Sequence, residues 1–156
     1  MIRPANPIVV DLTKGSYPPT WNAFGASSLI ANTTGVASLN ISFPSSGRYA
    51  FWLGGSFRRT LTLVVDGRKV GSVRHQLNNA GQWTPLGQAA IGRGSHTAEL
   101  RYGGSRLAPG SGGFAFAMGP LVASRPTADL PVTYVDPESA RSLCGKRLDW
   151  VEALGA

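Results

Sequence analysis

The sequence predicts an all-β domain built as an antiparallel β-sandwich, and three observations favour this fold class. Short stretches of alternating apolar and polar residues recur along the chain, separated by turns rich in Gly, Pro and Asn. Asp66-Gly67 stands between two such stretches, and Asp-Gly favours a hairpin because both central positions of a type I′ turn need positive φ. The composition agrees, since the 156 residues include 20 Gly and 11 Pro and only 15% are charged.

The first part of the chain contains three predicted strands. Residues 8–10 form a short apolar strand, whereas residues 15–28 are predicted to be irregular. Residues 37–43 alternate cleanly, and residues 49–53 follow after a Pro-Ser-Ser-Gly turn. The side chains predicted to point into the core share one face of the last two strands: Leu39, Ile41, Phe43, Tyr49, Phe51 and Leu53.

The Asp66-Gly67 turn joins two further strands, predicted over residues 61–65 and 70–73. Trp83 opens the next strand, and residues 94–100 form the one after it. In this last strand the apolar side chains alternate with polar ones, which is typical of a strand with one face buried.

His96 is in phase with the apolar residues of its strand, and this phase predicts a hydrogen-bonded core histidine. Residues 103–113 are rich in Gly and are predicted to form a long flexible loop. The last strand of the sandwich is predicted to begin within residues 114–118 and to end near Ser124.

The predicted sandwich occupies residues 1–124, and residues 125–156 form a C-terminal extension. Asp136-Pro137-Glu138 is typical of a helix start, because Asp caps the first amides, Pro is tolerated at the first position and Glu meets the helix dipole. One short helix is therefore predicted near residues 137–143, packing on the sandwich.

The charge pattern bears on nucleic-acid binding, and the cysteine content bears on disulfides and zinc sites. The formal net charge is +7, but the basic residues do not cluster, and adjacent ones occur only as three separate pairs, Arg58-Arg59, Arg68-Lys69 and Lys146-Arg147. This spacing is more typical of a solvated basic surface than of a nucleic-acid interface, so no nucleic-acid partner is predicted. Cys144 is the single cysteine, which excludes an intrachain disulfide and a multi-cysteine zinc site.

Targeting signals are missing from the sequence itself. No apolar stretch approaches the roughly 20 residues of a membrane span, and the first residues lack the apolar segment of a signal peptide. We expect the domain to be a piece of a longer chain that carries the targeting segment. We also expect it to work outside the cytoplasm, in the cell envelope or as a secreted domain.

Antiparallel strands alternate in direction, so successive connections alternate between the two ends of the sandwich. One set of connections is short, and we name its end the turn end: residues 44–47, 67–68 and 92–94. The other set is longer and more polar, and we name its end the loop end: residues 32–35, 56–59, 76–81 and 103–113. Binding residues concentrate on loops that a rigid scaffold positions, so the loop end is the predicted contact surface.

Side chains suited to a sugar stand at the loop end. Amides can donate and accept hydrogen bonds at once, arginines bind carboxylates or phosphates, and an indole offers a broad flat surface. The predicted carbohydrate-binding residues are Phe57, Arg58, Arg59, Gln76, Asn78, Asn79 and Trp83. Each has a structural alternative: Trp83 is then a core residue, the asparagines form an ordinary turn and the arginine pair is solvated.

Catalysis has little support in the sequence. There is no Gly-x-Ser-x-Gly, no His-Glu-x-x-His and no phosphate-binding loop with its lysine, and His75 and His96 belong to different strands. We therefore predict that the chain is not an enzyme, with no catalytic residue and no metal site.

The order of motifs over residues 36–124 resembles the galactose-binding-like β-sandwich and is similar to family 6 and family 35 carbohydrate-binding modules. These motifs are Gly-Arg-Tyr before an aromatic strand, the Asp-Gly hairpin, an Asn-rich loop, Gly-Gln-Trp and Gly-x-His. The resemblance implies a jelly roll with a sugar site among the loops at one end. Here that end carries Asn78, Asn79 and Trp83.

The resemblance also bears on cofactors. Those modules usually begin with paired glutamates that help bind a structural calcium, whereas only Asp11 lies near the first strand here. Gly112-Gly113 stands where the modules carry a polar residue before the last strand. We predict no cofactor, with a structural calcium as the alternative.

Together these observations predict a non-catalytic carbohydrate-binding accessory domain of a bacterial cell-envelope sugar-processing protein. Its predicted partners are a polysaccharide or glycan and the catalytic or membrane part of a longer parent chain. Residues 143–150 resemble the ends of bacterial envelope proteins whose membrane part transfers sugars. The alternative is a structural or protein-contact sandwich that has lost its sugar site.

Overall fold

A computed structural model describes residues 7–76, 82–106, 117–126, 135 and 137–145. The described chain forms two antiparallel sheets that pack on a shared core, which confirms the predicted sandwich. No helix in these ranges is long and apolar enough to cross a membrane.

The first sheet has the strand order β2-β3-β10-β5-β8, and β1 also pairs with β10. Its strands are β1 (Ile8–Val10), β2 (Asn22–Phe24), β3 (Ser28–Ile30), β5 (Gly47–Gly55), β8 (Trp83–Ile91) and β10 (Ala117–Ser124).

The second sheet has the strand order β4-β9-β6-β7. Its strands are β4 (Gly35–Phe43), β6 (Arg59–Val65), β7 (Arg68–Val73) and β9 (Gly94–Arg106). Two 3-10 helices complete the described secondary structure, Leu12–Lys14 and Pro137–Leu143.

The predicted inward faces of β4 and β5 lie in the core. All six side chains are at most 3% exposed: Leu39, Ile41, Phe43, Tyr49, Phe51 and Leu53. Phe43 makes edge-to-face contacts with Tyr49 and Phe51, with centroid distances of 4.6 and 6.3 Å. The alternation in β4 was therefore a reliable guide to burial, because one face of that strand packs against the opposite sheet. The sequence of β5 is apolar throughout residues 49–53, and Ala50 on its other face is buried as well.

The Asp66-Gly67 hairpin is also confirmed. Asp66 has φ 48° and Gly67 has φ 76°, so both central residues of the turn are in the left-handed region. Asp66 is the one non-glycine residue with positive φ in the described chain. A short polar side chain tolerates this conformation better than a branched or bulky one.

Two segments differ from the prediction. Residues 15–28 are not irregular throughout, since they include β2 and the start of β3. Every residue of β2 is exposed, so no alternation in the sequence marks this strand. The loop predicted from Gly103 onward is also wrong for residues 103–106, because β9 continues to Arg106 opposite Arg59 in β6. The rest of that predicted loop lies outside the described residues.

The C-terminal helix has the predicted extent, residues Pro137–Leu143, and it is a 3-10 helix. Its predicted cap, Asp136, lies outside the described residues, as do residues 127–134 and 146–156. That this extension packs on the sandwich as a separate unit stays a prediction.

The two sheets approach closely where β7 meets β8. A Cβ atom added at Gly71 would lie only 1.7 Å from the carbonyl oxygen of Leu86, and one added at Gly87 would lie 2.7 Å from that of Val70. Glycine is required at 71 because the two backbones approach too closely for any side chain. On the opposite side, between β1 and β4, the sheets leave a groove of about 600 Å³.

Candidate functional site at the loop end

Strand pairing places the connections at the two predicted ends of the sandwich. Phe43 is opposite Gly94 and Val65 is opposite Ala98, which brings the short turns together at the turn end. At the other end of the same strands, Gly35 is opposite Tyr102. The described parts of the longer connections therefore share the loop end.

Hydrogen bonds within the protein occupy the polar groups of the turn end. The guanidinium of Arg125 donates to Ser45 Oγ and to the Ser46 carbonyl, both at 2.8 Å, and the Arg93 amide donates to Ser46 Oγ at 2.9 Å. His96 Nδ1 lies 2.5 Å from Asp66 Oδ2. Hydrogen bonds between these turns thus hold the turn end together. His96 was predicted to be a hydrogen-bonded core histidine, and it is hydrogen-bonded but half-buried at the rim of the core.

An aromatic cluster lies directly beneath the loop end. Trp21, Phe57 and Tyr102 are 3%, 2% and 6% exposed. Trp21 and Tyr102 meet edge to face at 5.8 Å, and the Trp21 indole donates to the Thr33 carbonyl at 2.9 Å. The Arg58 amide donates to the Tyr102 hydroxyl at 3.3 Å. This cluster fixes the connections around Thr33 and Arg58 from below.

The aromatic cluster shows that the prediction for Phe57 was wrong and that Trp21, which was not predicted, also lies beneath the loop end. Phe57 reaches the loop end as predicted, but its side chain is buried, so it supports the surface and is not available for contact with a ligand. Trp21 stands in a segment without periodicity, and nothing in the sequence indicated that it packs under the loop end. Its hydrogen bonds to the carbonyl groups of Pro18 and Thr33 form only in the folded chain.

Three predicted site residues meet on one side of the loop end. Gln76 pairs with Phe57 through two backbone hydrogen bonds of 2.9 Å, which places Gln76 beside Arg58. Arg59 opens β6, and its Nη1 donates to the Gly104 carbonyl at 2.9 Å. Arg58, Arg59 and Gln76 are each half-buried, so their side chains are partly held and partly exposed.

Trp83 reaches the loop end from the other sheet. It is the first residue of β8 and lies opposite Gly54, where an added Cβ atom would stand 3.3 Å from the indole ring. The ring is half-buried, with one part against Gly54. Its environment therefore combines features of a core residue and of a surface platform. Asn78 and Asn79 lie outside the described residues.

A groove of about 440 Å³ runs from the loop end along the outer face of the second sheet. Residues of β4, β6 and β9 line it: Gly35, Val36, Thr60, Thr62, Arg101, Tyr102, Gly103 and Gly104. Val36 is 41% exposed, so the groove combines an apolar contact with threonine hydroxyls. The sequence did not indicate this groove, because it forms only when β9 extends past Gly103.

The carboxylate of Asp11, directly after β1, accepts hydrogen bonds from a neighbouring residue. Asp11 Oδ1 accepts from the Thr13 amide at 2.9 Å and from the Thr13 hydroxyl at 2.7 Å, and the hydroxyl is the main reason that the pKa of Asp11 is lowered. Asp11 thereby caps the first 3-10 helix. The described ranges contain no group of three His, Cys, Asp or Glu residues that could hold a metal ion.

Comparison with known proteins identifies the fold. A family 35 carbohydrate binding module from Clostridium thermocellum matches with a TM-score of 0.57 and 17% identity, over 78% of this chain and 99% of that one. The CBM36-1 domain of a multidomain xylanase, from the hindgut metagenome of Trinervitermes trinervoides, matches with a TM-score of 0.51 and 15% identity, over 76% and 97%.

A third match is a larger enzyme, the GH26-CBM35 beta-(1,4)-mannanase of Podospora anserina. Its TM-score is 0.56 and its identity 12%, over 84% of this chain but only 30% of the mannanase. No protein-family model and no curated protein sequence matches the chain. The structural matches thus confirm the predicted fold, the galactose-binding-like β-sandwich of carbohydrate-binding modules.

Proposed function

We propose that the chain is a non-catalytic carbohydrate-binding domain that holds a glycan at the loop end. The observation that carries this proposal is the meeting of Arg58, Arg59 and Gln76 above a buried aromatic cluster, with Trp83 contributed by the other sheet. Guanidinium and amide groups suit sugar hydroxyls, and an indole face suits the apolar face of a sugar ring.

The 440 Å³ groove supports a chain-like ligand. It begins at Gly35 and Gly104, at the loop end, and continues past Thr60 and Thr62. A glycan anchored at the loop end has a polar path along the outer face of the second sheet. We further propose that Asn78 and Asn79 contribute amide groups to the anchored sugar.

We also propose that this domain is one part of a longer parent protein. The matched part of the Podospora anserina mannanase is under a third of that chain, which shows this fold as one portion of a longer enzyme. By analogy, we propose an accessory domain of a bacterial cell-envelope sugar-processing protein, located outside the cytoplasm. The catalytic or membrane part of that protein is the second proposed partner.

A structural or protein-contact role is the second candidate. It is favoured by the burial of Phe57 and by Gly112-Gly113, which stands where the similar modules carry a polar residue. On this alternative the loop end contacts a neighbouring domain of the parent chain and binds no glycan.

A glycan array probed with the isolated chain, followed by titration of two variants, separates these candidates. We expect Asn79→Ala to weaken glycan binding by about 1 kcal/mol or more, because it removes a hydrogen bond or leaves a partner unpaired. Trp83→Ala removes the platform and should abolish binding while the domain stays folded. If both folded variants bind at full strength, the loop-end carbohydrate site is excluded. A negative array contradicts the carbohydrate-binding proposal and leaves the contact role standing.

A further inference from the structure

We propose that the outer face of the first sheet is a docking surface for residues 146–156 of the same chain. This segment lies outside the described residues, and its large apolar side chains are Leu148, Trp150, Val151 and Leu154. The inference is independent of the proposed glycan site at the loop end.

A row of four apolar side chains crosses this outer face, and we name it the apolar row. Val9, Val122, Trp52 and Pro85 are successive register partners on β1, β10, β5 and β8. The sequence neighbours of Val122 and Trp52 are fully buried in the core, so alternation turns these two side chains outward. Because four adjacent strands span about 14 Å, the row is a continuous strip across the sheet.

The outer face of the second sheet carries an equivalent row of different chemistry, which we name the polar row. Val36, Arg101, Thr62 and Ser72 are successive register partners on β4, β9, β6 and β7. One of these four side chains is apolar, whereas all four members of the apolar row are. A sheet face that stays in water normally carries polar side chains, so the two outer faces differ in what they are suited to meet.

Burial around the apolar row indicates a face that is meant to be covered. Ala50 and Ser124 also face outward, as register partners on β5 and β10, yet they are 5% and 2% exposed. At the margin of the same face Val9 is 60% exposed. The apolar sequence of residues 49–53 is typical of a strand buried on both faces. A further apolar segment laid across the row would complete this burial.

The path of the chain brings its C-terminal part to this face. β10 is the last described strand and lies inside the first sheet, next to β5. After Ser124, the guanidinium of Arg125 is held to the turn at residues 44–47 by two hydrogen bonds of 2.8 Å. The following residues therefore start at the turn-end margin of the face. In the C-terminal 3-10 helix Leu143 is half-buried, so the chain contacts other residues just before the docking segment.

The composition of residues 146–156 matches the face. Its four large apolar side chains suit the apolar row, and Asp149 and Glu152 stand among them. Arg48, which is exposed at the turn-end margin of the same face, has the opposite charge. A second copy of the chain is a poorer occupant, because the formal net charge of +7 makes two copies repel each other.

The first test uses the single cysteine of the chain. Cys144 is exposed and lies close to the docking segment in sequence, so a nitroxide attached to it reports where that segment lies. The isotope-labelled whole chain is compared with the nitroxide oxidised and reduced. We expect a greater loss of amide signal along the apolar row than along the polar row. The effect falls steeply with distance, and packed sheets lie about 10 Å apart.

The second test measures coupling between the face and its occupant. Trp52→Ala and Trp150→Ala are made singly and together in the whole chain, and stability is measured by urea unfolding. Residues in contact give non-additive effects, so the double variant should lose less stability than the sum of the two single losses. Thr62→Ala with Trp150→Ala is the matched control, since Thr62 belongs to the polar row and the two losses should add.

Equal signal loss at the two rows, or a greater loss at the polar row, would overturn the proposal. Additive losses for Trp52→Ala and Trp150→Ala would also overturn it, because the segment would not touch the row. Titration with phosphatidylglycerol vesicles, or with the tightest-binding glycan of the array, checks the other occupants. Amide shifts along the apolar row in either titration would show an open face and contradict docking. A failure of glycan binding would overturn the proposed function and leave this inference unaffected.

Discussion

At the scale of single residues, His96 shows how a side chain is fixed by what surrounds both of its ring nitrogens. Nδ1 lies 2.5 Å from Asp66 Oδ2 and Nε2 lies 3.0 Å from the Gly92 carbonyl oxygen. Both neighbours are acceptors, so both nitrogens are satisfied only when each carries a proton. The ring also meets Phe43 edge to face at 5.6 Å. This geometry favours the charged imidazolium.

The stability of the fold should therefore depend on pH through this pair. The hydrogen bond to Asp66 raises the pKa of His96 above its usual value, and the same bond lowers the pKa of Asp66. The contribution of His96 is complete below about pH 6.5 and is lost as pH rises through the raised pKa. That of Asp66 is complete above about pH 4 and is lost as pH falls through the lowered pKa.

Thermal melts of the unchanged protein and of His96→Gln, recorded between about pH 4 and 9, test this prediction. The difference in melting temperature should be largest between about pH 4 and 6.5 and should shrink at higher pH. His75→Gln is the control, because His75 lies away from Asp66. Two parallel curves for His96→Gln and the unchanged protein would contradict the proposed linkage.

Trp21 gives a second prediction at this scale. Trp21→Ala removes a buried ring that contacts Tyr102, and the expected loss is about 3–5 kcal/mol in the free energy of unfolding. Trp21→Phe keeps an aromatic ring but leaves the Thr33 carbonyl without its indole donor, so a smaller loss of about 1–3 kcal/mol is expected. Urea unfolding measures both. Equal stability of Trp21→Ala and the unchanged protein would contradict the packing role.

At the scale of elements, the approach of β7 to β8 requires glycine because the two backbones lie close together. Gly71→Ala would force a Cβ atom against the Leu86 carbonyl oxygen, on backbone that cannot move aside without separating the sheets. We expect a loss of about 1–3 kcal/mol or more. Gly103→Ala is the matched control, since an added Cβ atom there meets nothing within 4 Å.

Urea unfolding of the two alanine variants compares them directly. Gly103→Ala should be close to neutral, because Gly103 has no positive φ and has open space around it. Equal stability of Gly71→Ala and Gly103→Ala would contradict the close approach of β7 and β8 at Gly71.

The elements also show which parts of the fold can be predicted from sequence. β4 follows from alternation because one of its faces is buried, and β5 follows from its continuous apolar stretch. The Asp66-Gly67 hairpin follows from turn chemistry, because the turn needs positive φ. β2 does not, since all its residues are exposed and its pairing with β3 sets its conformation. β9 passes through Gly103 and Gly104 because β6 pairs with it, and local sequence cannot indicate this.

At the scale of the whole molecule, strand parity predicts which end of the sandwich a residue reaches but not how deep it lies. Arg58, Arg59 and Gln76 meet at the loop end because antiparallel connections alternate. Phe57 reaches the same end and is buried there, at 2% exposure, since depth depends on packing against residues distant in sequence. For the same reason parity could not show whether Trp83 is a core residue or a platform.

We expect the thermal stability of the whole domain to be independent of calcium. The described residues contain no cluster of potential metal ligands, and Asp11 is bonded to Thr13. Melting temperatures in calcium and in chelator should therefore agree. A ligand that binds only the native state raises stability by mass action, so a clear drop in chelator would show a calcium site and contradict the prediction.

The position of the glycan is the central claim, and backbone amide chemical shifts test it most directly. The isotope-labelled chain is titrated with the tightest-binding glycan of the array, and each amide is followed. We predict shifts at the loop end, around residues 32–35, 56–59, 74–76 and 103–106, with residues 44–47, 66–68 and 92–94 unchanged. Shifts confined to the turn end, or to the groove between β1 and β4, would contradict it.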